Sequence, residues 1–333
     1  MAREITYIQA ISEALHEEMA RDPDVFVMGE DVASPTGAGR GVRGEMTNLP
    51  ERFGTERVRN TPISESGLIG AALGAALTGS RPVVELMFID LVCVCMDQIA
   101  NQVAKVRYMF GGKARVPLVI RAPSGAGAGA AGHHSQSLEN WFVHTPGLLV
   151  VAPSTPYDAK GLLKAAIRDD NPVIFIEHKA LHWGKGPVPE GEYLLPVGVA
   201  DVKRQGRDVT IVANGRQVHT ALAAAATLAD EGLEAEVIDP RTLKPLDVAA
   251  IVASVRRTHR CVVVNEGCKT GGFASEVAAT VGEEAFGYLD APVIRVAAED
   301  VPIPANRTLE DEAIPQTKDI VAAVREVAGS LVG

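Results

Sequence analysis

The chain has 333 residues, of which 47% are hydrophobic and 22% are charged, and this length can hold two domains with sizeable cores. Its formal net charge of −10 argues against a nucleic-acid-binding surface. No run approaches the ~20 apolar residues that a membrane span needs, and we expect no signal or transit segment. The four cysteines lack the spacing of a zinc site, so we expect reduced thiols in a cytoplasmic protein.

Short β-branched runs alternate with helical patterns along the whole chain. In the first half, strands are predicted at residues 25–28, 83–87, 116–120, 148–151 and 173–176, and helices near 5–21, 66–79, 91–108 and 157–168. In the second half, strands are predicted at 209–212, 236–238 and 261–264, and helices near 216–231, 272–285 and 317–329. This alternation predicts an α/β protein in which each domain has a mostly parallel sheet flanked by helices. A Gly- and Pro-rich passage after residue 184 indicates a linker, which gives domains at 1–186 and 201–333 joined by 187–200.

One carboxylate stands out in the first half. Glu65 lies between the extended dipeptide Thr61–Pro62 and a helix rich in Gly and Ala. Ser64 is a suitable N-cap, which would put Glu65 in the first helical turn, beside backbone N–H groups and the positive end of the helix dipole. By position alone, such a carboxylate is more often a capping residue than a catalytic one.

Two glycine patterns have the spacing of a dinucleotide-binding motif. The first runs from Gly39 to Gly44 and has no strand immediately before it, and the second runs from Gly127 to Gly132 and leads into two histidines. Neither is followed, about 20 residues on, by an acidic residue that closes a strand, as the ribose contact requires. We therefore expect the glycines to let backbone approach a cofactor or substrate, and an NAD-linked dehydrogenase is a disfavoured alternative.

Several motifs occur in a fixed order along the chain. They are Thr61-Pro62-Ile63-Ser64-Glu65, Glu85-Leu86-Met87-Phe88, Asp97-Gln98-Ile99 and His134-Ser135-Gln136. In this order they resemble the β subunit of the E1 component of 2-oxo acid dehydrogenase complexes, a family with pyruvate, branched-chain and acetoin types. The resemblance extends from Ile5-Thr6-Tyr7 to Ile314-Pro315-Gln316. It implies a transketolase-like pyrimidine-binding domain followed by a transketolase C-terminal domain.

The resemblance also implies a chemistry for Glu65. The chain would be part of a thiamine-diphosphate-dependent E1 that cleaves a pyruvate-like 2-oxo acid or acetoin and transfers the acyl unit to the lipoyl group of E2. The carboxylate of Glu65 would bond N1′ of the cofactor's aminopyrimidine and so promote loss of the proton from C2. Ile63, Met87 and Leu91 would line the pyrimidine pocket. Many relatives carry Phe or Tyr at position 91, so Leu91 would pack on the ring without aromatic stacking.

A second catalytic residue is implied at His134. In the family, the histidine directly before Ser-Gln lines the active-site channel, where an imidazole can bond a substrate carboxylate or pass a proton near neutral pH. A histidine in a Gly-rich loop is also often incidental, and the role of the neighbouring His133 stays open.

A cation site is implied near the end of the first domain. The run from Asp169 to Pro172 can be a simple turn. In relatives, the corresponding loop holds a structural potassium ion, and oxygen ligands at a helix C-terminus suit a hard cation. The ligands implied for this chain are Leu118, Ala166, Ile167, Asp169 and Asn171.

One signature is missing from the chain. Thiamine-diphosphate enzymes usually hold Mg²⁺ and the diphosphate with a Gly-Asp-Gly…Asn signature, and no Gly-Asp-Gly occurs here. The resemblance therefore implies an α₂β₂ heterotetramer in which an E1 α subunit holds Mg²⁺ and the diphosphate. The second half would serve assembly and dock the subunit-binding domain of E2. A split transketolase-type subunit that transfers ketol groups and a non-catalytic assembly subunit are the alternatives.

Overall fold

The structure is a computed structural model that describes residues 2–33, 46 and 48–329. It divides into two compact units. The first comprises Met1–Ser124 and Trp141–Val197, and the second comprises Gly125–Asn140 and Gly198–Gly333. The division after Val197 lies inside the predicted linker, whereas the clustering of Gly125–Asn140 with the second unit has no counterpart in the sequence pattern.

In its described residues, the first unit has eight strands and six helices, and it shares a seventh helix with the second unit. The strands are β1 (Ala2–Thr6), β2 (Val25–Gly29), β3 (Val58–Asn60), β4 (Arg81–Glu85), β5 (Val119–Ser124), β6 (Leu149–Val151), β7 (Val173–His178) and β8 (Lys185–Pro189). The helices are α1 (Tyr7–Arg21), α2 (Leu49–Phe53), α3 (Glu65–Leu77), α4 (Val92–Asp97), α5 (Val106–Met109), α6 (Glu139–Val143), which crosses into the second unit, and α7 (Pro156–Arg168).

Six of these strands form a parallel sheet in the order β6-β7-β5-β4-β2-β3. Helices α1 and α7 pack together on the sheet, and their side chains form one buried cluster with those of the strands. The cluster includes Tyr7, Leu15, Leu162, Val83 and Phe175. Because the strands are covered by helices, their sequences are continuous apolar runs and not alternating ones.

The start of the chain differs from the predicted helix at 5–21. Thr6 caps α1 in a capping box with Gln9, so the helix begins at Tyr7. Residues before it form β1, which pairs antiparallel with β8, and Ile5 lies opposite Gly186. Residues 187–189 of the predicted linker therefore belong to a strand of the first unit.

The predicted helix at 91–108 is interrupted. A 3₁₀ turn at Ile89–Leu91 leads into α4, a π-helical segment follows at Gln98–Val103, and α5 follows that. Cys95 has non-helical backbone angles, φ −115° and ψ 15°, inside α4. Such π segments frequently occur beside functional sites.

The second unit contains a five-stranded sheet in the order β14-β13-β10-β11-β9. The strands of the sheet are β9 (Asp201–Arg204), β10 (Val209–Ala213), β11 (Ala235–Asp239), β13 (Cys261–Cys268) and β14 (Ile294–Ala298), and the short strand β12 (Thr242–Lys244) is not part of this sheet. Its helices are α8 (Gln217–Ala229), α9 (Val248–Thr258), α10 (Phe273–Ala285), α11 (Arg307–Ala313) and α12 (Thr317–Gly329). All pairs in the five-stranded sheet are parallel except β11 with β9. Helices α8 and α12 share a buried apolar cluster with the sheet.

The predicted architecture of two mostly parallel sheets flanked by helices is therefore confirmed. In the described part of the chain, the search for a helix long and apolar enough to cross a membrane finds none.

Candidate active site

The carboxyl ends of three adjacent strands meet at one edge of the first sheet. Strand β2 lies between β3 and β4, and Gly29 at its end lies opposite Asn60 on one side and Glu85 on the other. A Cβ atom at Gly29 would lie 2.7 Å from the backbone oxygen of Glu85, so only glycine permits this approach of β2 and β4. Chain order reverses at β2, and ligands of open α/β sheets bind outside such carboxyl ends.

Glu65 is the first residue of α3, which follows β3 after a short segment. It lies in the first helical turn, as predicted, and its side chain is buried, with 6% of the residue exposed. Ser64 occupies the N-cap position, but its side chain makes no capping hydrogen bond. Ser66 Oγ donates to the backbone oxygen of Val94 at 2.7 Å and so ties the start of α3 to α4. The structure thus provides a buried carboxylate at the positive end of a fixed helix.

The charge of Glu65 affects the pKa of two other titratable groups. Burial raises the pKa of Glu30, and the negative charges of Glu65 and then Asp31 raise it further. Burial also raises the pKa of the Cys95 thiol to about 12, again with a contribution from the charge of Glu65. Glu30 therefore keeps its proton more readily than an ordinary glutamate does.

Glu30 is a residue that the sequence analysis missed. It directly follows β2, and the importance of that place depends on β2 lying between β3 and β4. The available signal was an acidic residue immediately after a predicted buried strand. That signal is common, and only the strand order makes it specific.

The predicted pocket residues differ in exposure. Ile63, two residues before Glu65, is 81% exposed, and Met87 and Leu91 are half-buried. Leu91 ends the 3₁₀ turn before α4. A buried carboxylate with apolar side chains of this kind fits a flat ring that is apolar on its faces and polar at its edge, such as an aminopyrimidine. The chain has no Gly-Asp-Gly to hold a diphosphate, so the fit extends to the pyrimidine half of the cofactor only.

His134 lies in the loop Gly125–Asn140, which belongs to the second unit. His134 is half-buried and its backbone N–H donates to the backbone oxygen of Ala131 at 3.3 Å, whereas His133 is exposed. The next residue, Ser135, is buried, and its Oγ has no hydrogen-bond partner among the described residues. A cavity of about 750 Å³ is lined by His133 and Ser135 together with apolar side chains that include Pro302 and Ile303.

The second glycine pattern is occupied from within the chain. The backbone N–H groups of Gly127 and Gly129 donate to the carboxylate of Glu310, and that of Ala126 donates to Glu266 at 2.7 Å. A dinucleotide fingerprint needs such groups free for a pyrophosphate. In this loop, the N–H donors that a dinucleotide would need are therefore already bonded, which disfavours the NAD-linked alternative. The first glycine pattern, Gly39–Gly44, lies outside the described residues.

The implied potassium ligands lie in and beside the loop after α7. The backbone oxygens of Ile167 and Asp169 accept hydrogen bonds from the Arg81 guanidinium at 2.9 and 2.7 Å. Asp169 Oδ1 accepts from the backbone N–H and the amide of Asn171 at 2.7 and 2.8 Å. The backbone oxygens of the other two implied ligands, Leu118 and Ala166, accept from backbone N–H groups. Backbone and carboxylate oxygens of this kind are the ligands that a hard cation prefers, so the set fits by donor type, with Arg81 as a competing positive charge.

No metal-binding cluster of three or more His, Cys, Asp or Glu occurs in the residues that the structure describes. All four cysteines are free thiols. The oxygen-rich loop after α7 is thus the cation site to be tested.

Comparison with known proteins defines the class first. Residues 3–182 match the family "Transketolase, pyrimidine binding domain", and residues 198–320 match "Transketolase, C-terminal domain". A solved structure described as "Split gene transketolase, inactive beta4 tetramer" has a TM-score of 0.78 and 27% identity, with 97% of this chain and 98% of that chain covered. The fold is that of a transketolase-type pyrimidine-binding domain followed by a transketolase C-terminal domain.

Curated relatives define the family within this class. The "Acetoin:2,6-dichlorophenolindophenol oxidoreductase subunit beta" of Cupriavidus necator is 52% identical over 332 residues, with 98% of each chain covered. "Pyruvate dehydrogenase E1 component subunit beta-1, mitochondrial" of Arabidopsis thaliana is 47% identical, with 97% of this chain and 89% of the relative covered. "2-oxoisovalerate dehydrogenase subunit beta" of Bacillus subtilis is 46% identical, with 97% and 98% covered. The chain belongs to the family of E1 β subunits of acetoin and 2-oxo acid dehydrogenases, and the predicted family is confirmed.

Proposed function

We propose that this chain supplies the aminopyrimidine side of a thiamine-diphosphate site that it shares with an E1 α subunit. The main support is the position of Glu65, a buried carboxylate at the start of α3 and beside the carboxyl ends of β2, β3 and β4. The absence of Gly-Asp-Gly from the chain supports a shared site, with Mg²⁺ and the diphosphate held by α.

The residues of this chain would have distinct roles. Thiamine diphosphate, when bound, supplies the carbon centre that attacks a carbonyl and accepts the electrons of the broken carbon–carbon bond. Glu65 would share a proton with N1′ of the aminopyrimidine. Glu30, whose pKa is raised by burial and by the charge of Glu65, would stay protonated more readily than an ordinary glutamate. Ile63, Met87 and Leu91 would exclude water from the faces of the ring.

His134 would act on the substrate or in the transfer of the acyl unit. Its half-buried imidazole would orient the oxo group or carboxylate of the substrate, or transfer a proton when the acyl unit passes to the lipoyl group of E2. We propose acetoin or pyruvate as substrate, because two relatives named as acetoin oxidoreductase β subunits are 52% and 48% identical to this chain.

An exposed apolar face supports an obligate partner. Helix α3 is built almost wholly from Gly, Ala, Leu and Ile, yet one face of it is open to solvent. That face consists of Gly67, Gly70, Ala71, Gly74 and Leu77. A helix that is apolar on all sides is normally covered on all sides. Tyr108, Met109 and Phe110 are also 88%, 68% and 60% exposed, which supports assembly as α₂β₂.

A separate surface of the second unit suits a protein partner. At the end of α10, Phe286 is 78% exposed and Tyr288 is 45% exposed, beside the exposed carboxylates of Glu283 and Glu284. The Arg256 guanidinium lies over the Tyr288 ring at 4.9 Å, so the rim of this surface carries both charges. Exposed aromatic side chains with a polar rim are typical of docking sites. We propose that this surface binds the subunit-binding domain of E2. We also propose that the protein works in the cytoplasm and that potassium binds in the loop after α7.

The proposal is tested by reconstitution with an α chain that carries the Gly-Asp-Gly signature. Activity is measured on acetoin, pyruvate and a branched-chain 2-oxo acid with a lipoyl domain as acceptor. Glu65→Gln should slow hydrogen–deuterium exchange at C2 of the cofactor by about 100-fold or more, because proton transfer loses its carboxylate. Assembly with α should be unchanged.

The matched control is Glu51→Gln, since Glu51 also lies in a first helical turn, that of α2, but is exposed. It should exchange C2 hydrogen at the wild-type rate. Near-normal exchange in Glu65→Gln would contradict the proposed role, and tight binding of thiamine diphosphate and Mg²⁺ by the isolated chain would contradict the shared site. Ketol transfer between sugars without E2 would support the split transketolase alternative.

A further inference from the structure

The loop that carries His134 has an alternating backbone. Gly125, Gly127, Gly129 and Ala131 have φ values of 90°, 95°, 66° and 59°, so every second residue is left-handed. Positive φ values at alternate residues turn the N–H groups of Gly127 and Gly129 toward one acceptor, which makes a concave anion site. Three glycines meet this requirement without strain, whereas Ala131 meets it at a cost.

A carboxylate of the chain itself occupies this concave site. Glu310, on α11, is 1% exposed. Its Oε1 accepts hydrogen bonds from Gly127 N at 2.9 Å and Gly129 N at 3.3 Å, and its Oε2 accepts from Gly129 N at 3.1 Å. These bonds have a charged acceptor and little contact with water, so they are stronger than ordinary backbone hydrogen bonds.

The bonded segment is continuous with His134. The N–H of Gly125 donates to the backbone oxygen of Gln136 at 3.0 Å and closes the loop around the histidine. The N–H of His134 donates to the backbone oxygen of Ala131, which ends the alternating run. Any displacement of Gly127 and Gly129 is therefore transmitted to His134 through a few fixed backbone dihedrals.

We propose that Glu310 is a positioning residue for His134. It touches neither substrate nor cofactor, and it acts by binding the glycine N–H groups that set the course of the loop. The proposal rests on the function proposed for His134. It assigns a role to the glycine pattern and to a glutamate that lies 183 residues away from Gly127 in sequence.

The first test needs no enzyme activity. Hydrogen exchange of the Gly127 and Gly129 amides is measured in the full-length chain for the wild type, Glu310→Gln and Asp311→Asn. In Glu310→Gln the negative charge is lost and the amide NH₂ faces N–H donors, so these amides should exchange about 10- to 100-fold faster. Asp311 is exposed on the same helix, and its variant should match the wild type. Wild-type exchange in Glu310→Gln would overturn the proposal.

The second test uses the reconstituted enzyme. Glu310→Gln should lower kcat/KM for acyl transfer by about 10- to 100-fold, the scale of a small misplacement of a catalytic group, while C2–H exchange stays at the wild-type rate. If Glu310 acts through His134, adding Glu310→Gln to His134→Ala should cause little further loss. Losses that multiply in the double variant would overturn the proposal.

The two tests separate this proposal from the proposed function. If no 2-oxo acid or acetoin is turned over with any α chain, the proposed function fails, but the exchange test still decides whether Glu310 orders the loop. If Glu310→Gln does not fold, Glu310→Asp replaces it. Aspartate keeps the charge but is one methylene too short to reach both N–H groups, so intermediate exchange and kcat/KM are expected, and wild-type values for both would overturn the proposal.

Discussion

Arg121 lies between two buried carboxylates, and its removal should destabilise the first unit strongly. Its Nη1 lies 2.6 Å from Glu85 Oε2, and its Nε and Nη2 donate to the two oxygens of Glu177 at 2.6 and 3.1 Å. The three side chains are each 0–1% exposed. Removing one partner of a buried ion pair costs about 3–5 kcal/mol, because the remaining charge stays buried. Arg121→Met leaves two such charges, so we expect a loss of at least this size and a fall in Tm of about 10 °C or more.

The same cluster predicts a change in the pH dependence of stability. Burial alone would raise the pKa of Glu177, but the charge of Arg121 and the hydrogen bond from His182 lower it to about 2. The unfolded value is about 4.3, so this group stabilises the wild type above about pH 4.3, and that contribution is lost as pH falls toward 2. In Arg121→Met the buried carboxylates favour protonation, so the difference from the wild type should narrow as pH falls from 7 to 5.

The assay is urea and thermal unfolding followed by circular dichroism, with Arg115→Met as the control. The Arg115 side chain is 75% exposed and lies 3.3 Å from Asp170, so its loss should cost about 0–1 kcal/mol. Adding Glu85→Gln and Glu177→Gln to Arg121→Met removes the uncompensated charges and should restore much of the stability. Equal losses for Arg121→Met and Arg115→Met, or no recovery with the two glutamines, would refute the reasoning.

Two further predictions concern Glu139 and the loop after α7. Burial raises the pKa of Glu139, and the charge of Glu266 adds to this, although Asn265 donates to Glu139 at 2.6 Å. Its contribution to stability is therefore present below about pH 4.3 and is lost as pH rises through the higher folded pKa. Between pH 5 and 8, the Tm of Glu139→Gln should therefore fall less than that of the wild type. An equal fall in both proteins would contradict this. If potassium binds at Asp169, the wild type should have a higher Tm in KCl than in NaCl of equal ionic strength, whereas Asp169→Ala should show no difference; equal Tm values for the wild type would contradict the site.

Local sequence patterns were sufficient for the elements that carry Glu65. Pro62 and Ser64 predicted where α3 begins, and apolar runs predicted most strands to within a few residues. The exceptions depend on contacts between distant segments. Residues 185–189 are rich in Gly and Pro and resemble a linker, but they pair with the first strand of the chain. The interrupted helix after Leu91 has no Gly or Pro to mark its π segment.

In the candidate site, too, local sequence patterns do not reveal residues whose position depends on contacts between distant segments. The resemblance to a known family led to Glu65 and His134, whereas Glu30 carried only the common signal of an acidic residue after a strand and Glu310 carried none. Glu30 gains its place from the order of β3, β2 and β4, which no periodicity encodes. Glu310 gains its place from a contact across most of the chain. The roles proposed for both residues depend on an environment that exists only after the sheets are formed.

The loop Gly125–Asn140 offers a physical reason for this chain to need a partner. Backbone N–H groups in alternating glycines are a standard means of binding phosphate, and in the described loop those groups of Gly127 and Gly129 bind Glu310. An internal carboxylate also repels an approaching phosphate. The loop is therefore unsuited to the diphosphate of a cofactor and suited to holding a histidine in place. This division supports a shared site, in which proton transfer and orientation of the substrate depend on this chain, and the binding of phosphate depends on another.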